Sequence, residues 1–138
     1  MVQLLRKSLK KKSKGFTLLE VLIVLVIIAV LAGLAVPAYQ SSVEKSRAQE
    51  AITSLTGARE AMLRYFAVNN TYVGAALGVG TMDYNPNTAV GGQTLIFTYA
   101  LSNLGAATFT ITATRAGGPV GTITINEAGT VGRTGVYA

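Results

Sequence analysis

The chain has no cysteine and no histidine in its 138 residues. Without cysteine no disulfide can staple the fold, and the compartment cannot be read from redox chemistry. Without histidine, the commonest general base and the commonest transition-metal ligand are both missing. No Gly-x-Ser-x-Gly, no phosphate-cradling glycine loop and no evident carboxylate pair takes their place. The sequence therefore presents no catalytic motif, no His/Cys metal-ligand cluster and no cofactor motif, and it does not read as an enzyme.

Acid is scarce as well. The net charge of +6 lies wholly in the first fifteen residues, where Arg6, Lys7, Lys10, Lys11, Lys12 and Lys14 face no acid; the later basic and acidic residues cancel. Such a leader, set directly before an apolar run, is attracted to anionic lipid by about 1 kcal/mol per basic side chain and holds the N-terminus in the cytoplasm.

What the sequence does have is one long apolar stretch. Glu20 is the only charge between Lys14 and Glu44, and Val21–Val36 carries no hydrogen-bonding side chain. Phe16–Ala38 is 23 residues, about 35 Å of helix at 1.5 Å per residue. That length crosses a hydrocarbon core of about 30 Å. A cleaved secretory signal is the ordinary alternative, but its apolar core runs about 7–15 residues, and "LAVPAY" makes a poor cleavage site. A plain membrane anchor is the other. Neither gives Glu20 a role: an acid or base at the centre of a membrane helix costs about 2.5–3.5 kcal/mol, and the plain alternative is that this carboxylate, near the helix end, snorkels to the interface.

The stretch "KGFTLLEVLIVLVIIAVLAGLAVPAYQ" resembles the class III signal and N-terminal helix of type IV prepilins and their pseudopilin relatives. The likeness rests on the basic leader ending in Gly15, the run Phe16–Glu20, the apolar helix and Pro37. It implies that a prepilin peptidase cuts between Gly15 and Phe16 and methylates the new amino terminus at Phe16. Glu20 then lies one helical turn above that amine. A lone carboxylate in apolar surroundings becomes less costly when a cation sits beside it. In a bundle of such helices the Phe16 amine of a neighbouring copy can be that cation, so Glu20 is expected to set the register of assembly. Pro37 deletes the helix hydrogen bond to the carbonyl of Gly33, and the resemblance implies that Gly33–Pro37 kinks or melts in the filament. Ala29 and Gly33, four residues apart, add a small-residue face for close helix approach.

Beyond the membrane the helix continues. "SSVEKSRAQEAITSLTGAREAMLRYFAV" places Ala48, Ala51, Ile52, Leu55, Ala58, Met62, Leu63 and Phe66 on one stripe at spacings of three and four. Glu44–Arg47 and Glu60–Arg64 stand at supporting separations. Three alternating segments follow. "TLIFTYALS" sets Leu95, Phe97, Tyr99 and Leu101 on one face; "ATFTITATR" sets Phe109, Ile111 and Ala113 against threonines; "GTITIN" does the same with Ile123 and Ile125.

The expected organisation is a cleaved leader at 1–15, a transmembrane and filament-core helix at 16–38, and its amphipathic continuation at 39–68. A loop at 69–93 leads to an antiparallel sheet at 94–138. This is an α+β fold, a long N-terminal helix covered by a small antiparallel sheet of three to four strands. "FTYALSNLGAATFTITAT" and "GTITINEAGTVGRTG" also resemble the C-terminal region of a pilin E-like subgroup, whose cysteine pair is missing here.

The resemblance implies a structural subunit that polymerises into a surface filament for adhesion, twitching motility or DNA uptake. The alternative is a type II secretion pseudopilin or a minor pilin. Major pseudopilins commonly bind calcium, which wants several oxygen ligands, and past the helix only Asp83 and Glu127 carry carboxylates. The implied partners are the chain itself, the prepilin peptidase, an assembly platform and its ATPase, and the membrane while unassembled. Nucleic acid is not expected as the main partner, because Arg115 and Arg133 are the only basic residues past the helix and phosphate binding needs a clustered basic surface. The implied locations are the inner membrane, as a single-pass precursor with its N-terminus cytoplasmic, and the extracellular pilus after assembly.

Overall fold

The computed structural model describes residues 15–78, 82–88 and 94–138. They form one helix, α1 (Leu18–Asn69), and four strands, β1 (Phe97–Ser102), β2 (Thr110–Arg115), β3 (Gly121–Asn126) and β4 (Val131–Gly135). The chain divides into two compact units, Met1–Tyr39 and Gln40–Ala138.

In the first unit, α1 is started by Thr17, whose hydroxyl accepts a hydrogen bond from the Glu20 amide at 3.2 Å. Thr17-Leu18-Leu19-Glu20 has the Thr-x-x-Glu form of a capping box, and an acid in the first turn also suits the positive end of the helix dipole. Every residue from Phe16 to Tyr39 is exposed. Among the described residues this is the one helix long and apolar enough to cross a membrane.

The second unit contains a core. Ala51, Leu55, Ala58, Ala61 and Met62 are the buried residues of α1. They join Phe97, Tyr99, Phe109, Ile111, Ala113, Ile123 and Ile125 in one cluster, with Tyr72 and Tyr137 closing its ends. Tyr72 lies tilted against Phe66 and meets Phe109 edge-on, both at 4.7 Å between ring centres. Fully burying a side chain such as Leu55 or Ile111 is worth about 1.5–3 kcal/mol.

Two details depart from the stripe expected of the helix. Leu63 is 37% exposed, because the step from Met62 turns it about 100° off the core direction. Ala61 is buried in its place on the opposite flank, which it shares with Met82 and Asp83. Arg64 gives its hydrogen bonds to Asp83, with Nε at 2.9 Å and Nη2 at 2.8 Å, and Glu60 adds only a weaker attraction from one turn back.

The sheet is an antiparallel meander in the order β1-β2-β3-β4. Its register sets Ile111 opposite Ile125, and Ala113 opposite Ile123, on the core side. Its outer face is uncharged and rich in hydroxyls. Thr98, Thr114, Thr122 and Thr134 form one row across all four strands, and Ser102, Thr110 and Asn126 form another. Thr122 and Thr134 share a 2.7 Å hydrogen bond.

β4 shows no apolar alternation and is exposed throughout. It is placed by the turn before it, where the Gly129 amide donates to the Asn126 carbonyl at 2.9 Å and the Thr130 amide to Asn126 Oδ1 at 2.8 Å. Gly135 ends the strand at φ 64°, with the Val120 carbonyl where a Cβ would stand. At the opposite edge the Asn87 side chain stands in for a strand. Its Nδ2 donates to the Tyr99 carbonyl, and its Oδ1 accepts from the Tyr99 amide, both at 2.8 Å.

Candidate functional site: the bare helix and the edges of the head

Gly15 and Phe16 precede the first turn of α1 and are both exposed. Apart from the adjoining residues and the helix's own backbone, nothing among the described residues lies within 4 Å of where a Cβ on Gly15 or Gly33 would be. Neither glycine is required by packing inside the chain. Phe16, Leu18, Val21, Leu22 and Leu25 line one shallow apolar surface, and Gly15, Phe16, Thr17 and Glu20 line another. Glu20 is exposed and makes no ion pair among the described residues. Pro37 lies inside the helix, where its ring nitrogen has no proton to give the Gly33 carbonyl.

Within the head, Glu44 is a hub. Its Oε1 accepts from Arg47 at 2.8 Å and its Oε2 from Arg115, with the Tyr137 hydroxyl 3.5 Å away. Arg115 also donates to the Tyr137 hydroxyl at 3.2 Å. The hydrogen bond to Tyr137, helped by the Glu44 carboxylate, raises the Arg115 guanidinium above its usual value, so it stays charged. The side chain of Arg115 is 7% exposed and that of Glu44 23%. This cluster ties the helix, β2 and the C-terminal segment together without a disulfide. The Glu44–Arg47 spacing visible in the sequence marks only its outer part. Phe109, Ile111, Ala113 and Arg115 share one phase of β2, and that phase was the available signal that Arg115 faces the helix.

Arg59 donates through Nε (3.1 Å) and Nη2 (2.8 Å) to the Glu127 carbonyl, while the Glu127 carboxylate accepts from the Phe109 amide at 3.3 Å. At Asp83 the hydrogen bonds from Arg64 hold the carboxyl below its usual range. Burial raises the phenols of Tyr72 and Tyr99.

A cleft of about 490 Å³ runs along the β4 edge, lined by Glu44, Lys45, Gln49, Ile52, Arg133 and Tyr137 among others. A second, of about 360 Å³, lies along the β1 edge beside Glu50, Ser54 and Tyr84.

Residues 10–36 match the prokaryotic N-terminal methylation motif. Residues 37–124 match the family described as "Type IV minor pilin ComP, DNA uptake sequence receptor". The chain belongs to this pilin family. It is 34% identical to the type IV major fimbrial protein FimA of Dichelobacter nodosus over 113 residues, which is 82% of this chain and 65% of that protein. It is 35% identical to the type II secretion system core protein G of Aeromonas hydrophila over 80 residues, 58% of this chain and 56% of that one. With the fimbrial protein EcpC of Eikenella corrodens the identity is 41% over 59 residues, 43% of this chain and 39% of that one. The match therefore spans between about two fifths and two thirds of these relatives. No solved structure gives a significant match. The observed α+β arrangement, a long helix with a four-stranded antiparallel sheet, is the one expected of a pilin.

Proposed function

We propose that this pilin is a structural subunit of a type IV pilus and polymerises through its N-terminal helix into a surface filament. The observation that carries the reading is the full exposure of residues 16–39. An apolar helix with no covered face needs lipid before assembly and sister helices after it. The precursor sits in the inner membrane with its basic leader in the cytoplasm. Prepilin peptidase cuts between Gly15 and Phe16 and methylates Phe16, and an assembly platform and ATPase then draw the helix out of the bilayer.

Glu20 couples these stages. A charge at the centre of a membrane helix costs about 2.5–3.5 kcal/mol; Glu20, in the first turn, bears at most that in lipid, and in the bundle the Phe16 amine of another copy offsets it. Gly33 and Pro37 mark the stretch where the helix loosens under extension. A minor-pilin or pseudopilin role in a shorter fibre is the alternative, supported by the family description and by the likeness to the Aeromonas hydrophila protein.

The test is Glu20→Ala in a piliated host. The variant should be processed and inserted normally, with filaments in the sheared fraction lost or sharply reduced; normal piliation refutes the role of Glu20. Mass spectrometry of wild-type filaments should find the chain beginning at a methylated Phe16, and filaments that retain residues 1–15 refute the reading as a whole.

DNA uptake, as the task of such a filament, is favoured by the family description. The head offers few free cations for it. Arg47 and Arg115 are spent on Glu44, Arg64 on Asp83 and Arg59 on a carbonyl. Retention of duplex DNA by purified filaments, measured across salt concentration, tests this reading.

A further inference from the structure

The two clefts of the head lie at opposite edges of one sheet and carry opposite uncompensated charge. Lys45 and Arg133 line the β4 cleft together with Glu44, whose charge is taken up by Arg47 and Arg115, and Glu50 lines the β1 cleft. Among the described residues none of these three makes an ion pair. The other head charges are engaged by hydrogen bonds, except Glu60, which stands four residues from Arg64. Arg133 is in register with Ile123, so its side chain leaves the strand on the helix side and reaches the cleft instead of the threonine face.

The β1 edge cannot take an added strand at Tyr99, because Asn87 already satisfies both backbone groups there. A neighbour at that edge must be met by side chains. A patch meeting its own copy would set Lys45 and Arg133 against the same cations, or Glu50 against Glu50, and like-charge contacts cost several kcal/mol. Joining the two different edges removes the repulsion. Such a heterologous contact repeats from copy to copy and, where the rotation does not close, generates an open helical array.

We propose that the Lys45–Arg133 cleft of one copy receives the Glu50 edge of the next, an ion-paired contact between heads that repeats along the fibre. The proposal rests on the pilus reading and adds to it a lateral register separate from Glu20.

The natural lack of cysteine makes the test clean. The full chain carrying Glu50→Cys and Arg133→Cys is assembled in a piliated host. It is treated with a bis-maleimide of about 10 Å span, since paired Arg and Glu backbones stand further apart than the roughly 4.4–6.8 Å a disulfide bridges. Sheared filaments of the double variant should run as a ladder of dimers, trimers and higher multimers, and each single variant as monomer. Filaments without a ladder overturn the contact and leave the pilus reading intact. Cross-linked dimers from a single variant overturn its heterologous geometry.

Charge reversal gives an independent readout. Glu50→Lys alone, or Lys45→Glu with Arg133→Glu, should lower filament yield about tenfold, and all three together should restore it. A triple variant no better than the partial ones overturns the proposal. So does full piliation in Lys45→Glu/Arg133→Glu with loss of duplex DNA retention, which would assign the cleft to nucleic acid. Wild-type chain that forms no filaments refutes the pilus reading and the contact with it.

Discussion

Removing either partner of the Glu44–Arg115 pair should have unequal consequences. Arg115 is almost fully enclosed, with 7% of its side chain exposed, whereas Glu44 keeps 23% and a second partner in Arg47 at 2.8 Å. Glu44→Leu strands a guanidinium that retains only the Tyr137 hydroxyl at 3.2 Å and the Gly117 carbonyl at 3.3 Å. Breaking a buried pair from one side costs about 3–5 kcal/mol. The two remaining acceptors lower that to about 2–3 kcal/mol. Arg115→Met fills the same space with an apolar stem and leaves Glu44 paired and wetted, so it should cost about 1 kcal/mol or less. For a head of this size the first corresponds to a fall of about 10 °C or more in Tm, and the second to about 5 °C. Thermal unfolding of the detergent-solubilised chain, followed by near-UV circular dichroism of its tyrosines, measures both. Equal losses, or a larger loss for Arg115→Met, would refute the inference that the enclosed cation is the costly member of the pair.

Asp83 gives a pH signature. Its folded carboxyl lies below its unfolded value, so its stabilising effect is present above about pH 4 and is lost as pH falls through the folded value. Asp83→Asn should flatten that part of the Tm-versus-pH curve; an unchanged curve argues against the pairing with Arg64. Gly135→Val forces a β-branched residue into φ 64° against the Val120 carbonyl and should cost about 1–3 kcal/mol or more, read as lost amide-exchange protection in β4. Asn87→Asp replaces the amide donor with an acceptor facing the Tyr99 carbonyl and should cost about 1–3 kcal/mol. A thermal midpoint equal to wild type would show that Asn87 does not hold that edge.

The parts of the fold legible in the sequence were those where burial and period coincide. Phe109, Ile111 and Ala113, then Ile123 and Ile125, face the core at the spacing that a one-sided strand demands. The apolar stretch from Phe16 announced itself by length alone. β4 was hidden because Val-Gly-Arg-Thr-Gly has no apolar face; its backbone becomes a strand by pairing with β3 after the turn at Asn126–Thr130. For Arg64 helix spacing offers only the weaker partner, Glu60, while the fold brings in an aspartate nineteen residues away that fits its fork. Of the candidate site residues, Glu20 and Pro37 were conspicuous by type. Lys45 and Arg133, far apart in sequence, meet at one cleft only once the sheet is in place.

The threonine rows have a consequence for how fibres would behave among themselves. No outward position on the four strands carries a charge. Wherever that face is presented to solvent, two fibres could lie side by side without electrostatic penalty, joined through water and hydroxyl groups that each give one proton and accept two. Bundling across such a skin would change little with ionic strength, in contrast to contacts made through the charged edges.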